Sequence, residues 1–336
     1  MKIAIIGGFG YKKTNGQTVK TNNLCNLLAD NELFKVDTAN WKSHPFSLLL
    51  NIKKAFELCD IIIMLPAQRG VKVFSKLLVH FNKKYKKKIF YDVIGGWLSN
   101  YLLENKKVLN DLSAFSGIWV EIPTMQKKLN ELGLNKVEVV PNFKDIPIIE
   151  EYCGFSNIFK TCVFSRITYS KGVEDAISAV SSLSKSGIRI KLDIYGPIEK
   201  KYKEKFDKIL KENDSTFINY KGIVDASKST EIISKYNALL FPTFYEGEGF
   251  AGTLIDAMFS GVPVIASDWR YNCDIIKDKY NGLIFKTRDI DDLNSKIMTL
   301  INNPELCNVI HKNCLIESSK YTKKSALSLI NKLLNK

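Results

Sequence analysis

At 336 residues the chain is about twice the length of an ordinary domain, so two domains are expected. An apolar fraction of 45% and a charged fraction of 25% belong to a packed globular protein and exclude a disordered one. The net charge of +14 is uneven, with 22 Lys and Arg against 12 Asp and Glu in residues 1–145, and 27 against 23 in residues 146–336.

The chain opens on a short apolar run, Lys2–Ile6, which reads as a first core strand. Glycines and lysines stand where a signal peptide would have its cleavage site. No apolar run approaches the roughly 20 residues that span a bilayer. The expectation is a cytoplasmic protein, peripheral at most at the inner face of the membrane. Further strands are predicted at Phe34–Thr38, Asp60–Leu65, Lys88–Val93, Gly117–Glu121 and Val137–Val140. Helical periodicity fills the gaps, as in Thr18–Ala29 and Val71–Phe81. Strands alternating with helices imply βαβ units and a parallel sheet covered on both faces.

Residues 141–158 break the pattern with two prolines and a glycine and mark a domain boundary. A second series then runs through Thr161–Ser165, Arg189–Tyr195, Phe217–Tyr220, Ala238–Phe241, Pro263–Ala266 and Leu283–Phe285. The expected fold is α/β, with two Rossmann-like doubly wound domains facing across a cleft. The first domain is placed at 1–148 and the second at 149–315. A helix within 316–336 is expected to pack back on the first domain or to lie as an amphipathic surface helix.

Seven cysteines are scattered, never as CxxC, so neither zinc nor a disulfide framework is expected. The run Lys83-Lys84-Tyr85-Lys86-Lys87-Lys88 is a local candidate for an anionic membrane surface, and a solvated lysine face reads it equally well. No nucleic-acid signature occurs. Gly7-Gly8-Phe9-Gly10 is an incomplete dinucleotide fingerprint and supports an oxidoreductase only weakly.

Two segments can carry chemistry. In Phe241–Asp268 a buried strand runs into a turn with glycines at 247, 249 and 252, then into a helix with Leu254, Ile255, Met258 and Phe259 on its apolar side. Such a turn lets backbone amides approach a phosphate, and Glu248 and Asp256 can accept bonds from sugar or ribose hydroxyls. Glu246 competes with Glu248. The second segment is Ser165–Gly172, where Arg166 can grip a diphosphate bidentately and Lys171 can act as a point charge. Alone, the first is equally read as tight turn geometry, and the second is more commonly a pair of exposed cations.

Together, Arg-x4-Lys-Gly followed by Glu-x7-Asp resembles glycosyltransferase family 4, the retaining enzymes of GT-B fold described as glycosyl transferases group 1. Val140-Pro141-Asn142, Ile194–Pro197, Lys221–Val224 and Gly261–Ala266 extend the resemblance. The family's second acid is usually glutamate, whereas this chain has Asp256. Relatives often carry a histidine in the first domain near the sugar. Here the corresponding stretch Tyr91–Trp97 offers Asp92, and His44, His80 and His311 are read as structural or surface. Gly95-Gly96-Trp97 is either an acceptor-side wall or a glycine turn with an anchoring aromatic.

The resemblance implies a transferase moving a sugar from a UDP- or GDP-linked donor to a glycan or lipid-linked glycan, in polysaccharide or glycoconjugate assembly. Glu248, Arg166 and Lys171 would be catalytic. Donor contacts would come from these three and from Gly16, Gln17, Ile223, Gly249, Phe250, Ala251 and Asp256. No metal and no cofactor beyond the nucleotide-sugar substrate is expected. A non-catalytic GT-B-fold subunit of a transferase complex, or a sugar-nucleotide epimerase of the same fold, is the alternative.

Overall fold

The computed structural model describes residues 1–10, 16–39, 41–149, 157–213 and 216–335. By residue contacts the chain divides into two units, Met1–Pro141 with Ala326–Lys336, and Asn142–Ser325.

The first unit is a six-stranded parallel sheet. Its strands are β1 (Lys2–Gly7), β2 (Glu32–Asp37), β3 (Ile61–Met64), β4 (Lys88–Asp92), β5 (Gly117–Val120) and β6 (Val137–Val139), in the order β2-β1-β3-β4-β5-β6. Register pairs Ile3 with Ile61, Ile62 with Ile89 and Ile118 with Val137. The central strands read as unbroken apolar runs because helices cover both faces, and all four residues of β3 are buried. Edge strand β2 keeps only Val36 buried. The last helix, Lys323–Asn335, turns Ala326, Ile330, Leu333 and Leu334 inward, and Lys88 Nζ donates to the Leu334 carbonyl at 3.4 Å.

The second unit repeats the plan with β7 (Phe159–Phe164), β8 (Ile190–Tyr195), β9 (Ile218–Gly222), β10 (Ala238–Phe241), β11 (Val264–Ser267) and β12 (Gly282–Phe285). Their order is β12-β11-β10-β7-β8-β9. All twelve strands expected from the sequence are present.

The strand order creates the site. From β7 the chain moves one way to β8 and β9; it then crosses back to β10 and continues the other way to β11 and β12. Neighbouring β7 and β10 therefore send their following loops in opposite directions and leave a crevice outside their carboxyl ends. In the first unit the same reversal falls between β1 and β3.

Candidate functional site

The two segments picked out by their residue types meet at this reversal. Ser165–Gly172 leaves the end of β7, and Pro242–Ala251 leaves the end of β10. Phe244 N–H donates to the Ser170 carbonyl at 2.8 Å and joins the two loops directly. Gly172, at φ +69°, turns the first loop into helix Val173–Lys185. A Cβ there would stand 1.9 Å from the Pro242 carbonyl oxygen, so only glycine lets the loops approach this closely. Gly196 does the same on the other side, where a Cβ would stand 1.9 Å from the Ser165 carbonyl oxygen. Substituting Gly172→Ala should lower stability by at least about 3 kcal/mol, since a clash adds to left-handed strain. Chemical unfolding checks this, and a loss below about 1 kcal/mol would contradict it.

Within the crevice Lys171 Nζ donates to Glu248 Oε2 at 2.6 Å, and the Thr243 hydroxyl donates to the same oxygen at 2.6 Å. Glu248 is 6% exposed and Thr243 fully buried. The Lys171 ammonium also lies 5.2 Å from the centre of the Tyr245 ring, whose other neighbour is the Arg166 guanidinium at 6.0 Å. Arg166 itself is exposed. Two cations thus flank one aromatic ring, and a buried carboxylate fixes one of them.

The two glutamates stand in different surroundings. The Glu246 side chain is 72% exposed and pairs with Arg270. Glu248 faces Lys171. Glu246→Gln should therefore leave nucleotide affinity within about twofold. Glu248→Gln removes the counter-charge of Lys171 and should change affinity or turnover at least about tenfold. Titration of both variants with nucleoside diphosphates reads the difference.

Asp256 lies on helix Gly252–Phe259, and both its oxygens are within 3.1 Å of Lys144 Nζ. Burial pushes its carboxyl above the ordinary range, and Lys144 opposes that rise. Any hydroxyl that reaches Asp256 must therefore share it with Lys144. Gly249, Phe250 and Ala251 precede the helix, with Ala251 at its N-cap, and Asn142 Nδ2 donates to the Phe250 carbonyl at 3.3 Å. Ile223 stands exposed just beyond β9.

Gly16 and Gln17 begin helix Gly16–Leu27 of the first unit, and the Gln17 amide donates to the Leu65 carbonyl at 3.4 Å. Residues 11–15 of the preceding loop lie outside the described residues.

The first unit has a charged cluster of its own at the carboxyl ends of β4 and β5. Lys20 Nζ sits 2.8 Å from Asp92 Oδ1 and 2.9 Å from Glu121 Oε1, and it donates to the Val93 carbonyl at 2.8 Å. The ammonium thus donates to Val93 and Glu121 and is paired with Asp92 as an ion. Burial works against the charge on Lys20, but Asp92 and Glu121 outweigh it and hold its pKa up. Burial raises Asp92, with Lys20 opposing. Asp92 was legible from sequence; Lys20 and Glu121 were not, lying 72 and 29 positions away. Trp97 is anchored by its own Nε1–H to the Ile94 carbonyl at 2.7 Å. His44 and His80 are exposed, and His311 Nδ1 lies 2.8 Å from the Gly261 carbonyl.

Two six-stranded parallel units of this kind are the Rossmann-like pair of GT-B glycosyltransferase structures. The chain matches Anabaena HepE solved with UDP at a TM-score of 0.78 and 15% identity, over 100% of both chains. It matches sucrose-phosphate synthase of Thermosynechococcus elongatus at a TM-score of 0.77 and 14% identity, over 99% and 98%. These likenesses are of fold.

Residues 156–314, a stretch within the second unit, match the model of the family described as Glycosyl transferases group 1. An uncharacterised glycosyltransferase of Methanocaldococcus jannaschii is 27% identical over 68% of this chain and 53% of its own length. The poly(ribitol-phosphate) alpha-N-acetylglucosaminyltransferase of Staphylococcus aureus is 25% identical over 83% and 55%. The chain thus spans about half the length of these curated relatives. Among the described residues no helix is long and apolar enough to cross a membrane.

Proposed function

We propose that the chain is a retaining glycosyltransferase that moves a sugar from a nucleoside-diphosphate sugar to a glycan or lipid-linked glycan, in the cytoplasm at the inner face of the membrane. The observation that carries the reading is the Lys171–Glu248–Thr243 cluster at the reversal of the second sheet, with Arg166 beside it. The match of residues 156–314 to the Glycosyl transferases group 1 model supports it, as do structural neighbours solved with UDP.

In this reading Arg166 and Lys171 bind the donor diphosphate and stabilise the charge that collects on the leaving group as the bond to the sugar breaks. The amides of Gly249, Phe250 and Ala251 add donors at the start of a helix, where its dipole favours an anion. Glu248 holds Lys171 in place through Oε2, and its other oxygen takes a hydroxyl of the transferred sugar. Asp256 takes the ribose hydroxyls once Lys144 yields, and the backbone at Ile223 lies beside the base. The leaving-group charge is met by these residues, so the transfer is proposed to run without a metal.

A panel of UDP-, GDP-, ADP- and CDP-sugars tests this. One donor should release its nucleoside diphosphate in the presence of cell-envelope glycans or lipid extract, and NMR of the product should show the donor's anomeric configuration kept. No release from any of them would favour a non-catalytic subunit of the same fold.

A further inference from the structure

Helix Pro45–Leu58 of the first unit has two apolar stripes. Leu48, Ile52, Ala55 and Phe56 face inward at helical spacing and pack on the sheet. A second set at the same spacing faces water: Phe46 is 81% exposed, Leu50 60% and Leu49 41%. The outer stripe then continues into Lys53 and Lys54, and exposed Lys42 lies just before the helix. The helix carries one acid, Glu57, which Lys53 approaches to 3.6 Å and to which the Tyr85 hydroxyl donates. Helix Gln68–Tyr85, packed alongside, adds exposed Lys72 and Lys76 in its first half.

The structure assigns this outer face to an anionic lipid surface. Apolar side chains standing proud of a cationic rim are the pattern of a helix that inserts its apolar edge among headgroups while lysines pair with lipid phosphates. A second copy of the chain is the poorer occupant, because it would bring the same lysines against each other. Since helices of such a unit start where strands end, Phe46, Leu49 and Leu50 lie at the carboxyl end of the sheet, the end that holds Asp92 and Glu121. The inference deepens the proposed function by naming the surface that would present a lipid-linked acceptor.

The Lys83–Lys88 run is not the anchor in this account. Lys83 and Lys84 occupy the last turn of their helix, where cations stabilise the dipole, and Lys87 N–H is tied to the Asn82 side chain. They sit at the opposite end of the sheet from Phe46.

Co-sedimentation of the purified chain with vesicles of equal parts phosphatidylglycerol and phosphatidylcholine tests the inference, with no nucleotide present. Binding is expected at low salt, falling as salt rises, and absent with phosphatidylcholine alone. The double substitution F46S/L50S should weaken it roughly tenfold or more, K53E/K54E by a similar factor, and K83E/K84E by no more than about twofold. Circular dichroism and light scattering on each variant check its fold and mass. No binding by the parent chain overturns the inference, as does F46S/L50S binding equal to the parent. So does an effect of F46S/L50S confined to splitting a dimer. Because nucleotide is left out, a failed donor reading leaves the vesicle result standing, and the reverse also holds.

Discussion

Lys171→Ala should reduce turnover with the nucleotide sugar by roughly a hundred- to thousand-fold, the range seen when one preorganised charge stabiliser is removed. The effect has two sources. The leaving diphosphate loses a cation that Glu248 and Thr243 hold in position before any substrate arrives. Glu248, 6% exposed, is also left without its counter-charge, which should lower stability by about 1–3 kcal/mol. Rates must therefore be read below the variant's melting range. Lys171→Arg keeps the charge but not the 2.6 Å geometry and should fall between the two. A Lys171→Ala enzyme within about threefold of the parent at saturating donor would contradict the assignment.

A second large effect is expected in the other unit. Lys20→Met leaves Asp92 and Glu121 buried beside each other with no cation, and breaking such a cluster from one side costs about 3–5 kcal/mol near neutral pH. The loss should shrink in acid. Without Lys20 to oppose burial, the Asp92 carboxyl has a folded pKa further above its unfolded one, so the folded state holds more protons than the unfolded chain. Stability then falls as pH rises from the ordinary carboxylate range through the raised folded value, and levels off above it. The parent protein carries a weaker form of this slope, since burial already raises Asp92. Urea unfolding of both proteins at about pH 5.5 and pH 8 reads it, and a deficit equal at the two pH values would contradict the account.

The sequence was most legible where local pattern decides structure. Every strand could be placed because β1, β3, β10 and β11 are short apolar runs bounded by turn residues. The acidic glycine turn and the Arg-x4-Lys-Gly segment were legible because each is compact. Their meeting was not, since it depends on β10 crossing back beside β7, and residue alternation does not fix strand order. The parts played by Thr243 and Tyr245 are hidden for the same reason, although both adjoin Glu248 in the chain. Lys20, Glu121 and Lys144 were hidden more deeply. Each is an ordinary charged residue whose partner stands far away in sequence, as Asp256 does 112 positions from Lys144. The lysine run at 83–88 stands out by composition, and in the fold it spans a helix end and the start of β4. The apolar outer face of helix Pro45–Leu58 is not legible in the sequence, because apolar residues on both sides of a short helix look like core until their burial is known.

Thermal unfolding of the purified chain with UDP, GDP, ADP and CDP, repeated on Lys171→Ala, tests the central claim most directly. The account predicts that one nucleotide raises the midpoint clearly and that the variant loses most of that rise relative to its own baseline. An equal rise in the variant, or no rise with any nucleotide at millimolar concentration, would contradict a donor diphosphate held by Arg166 and Lys171.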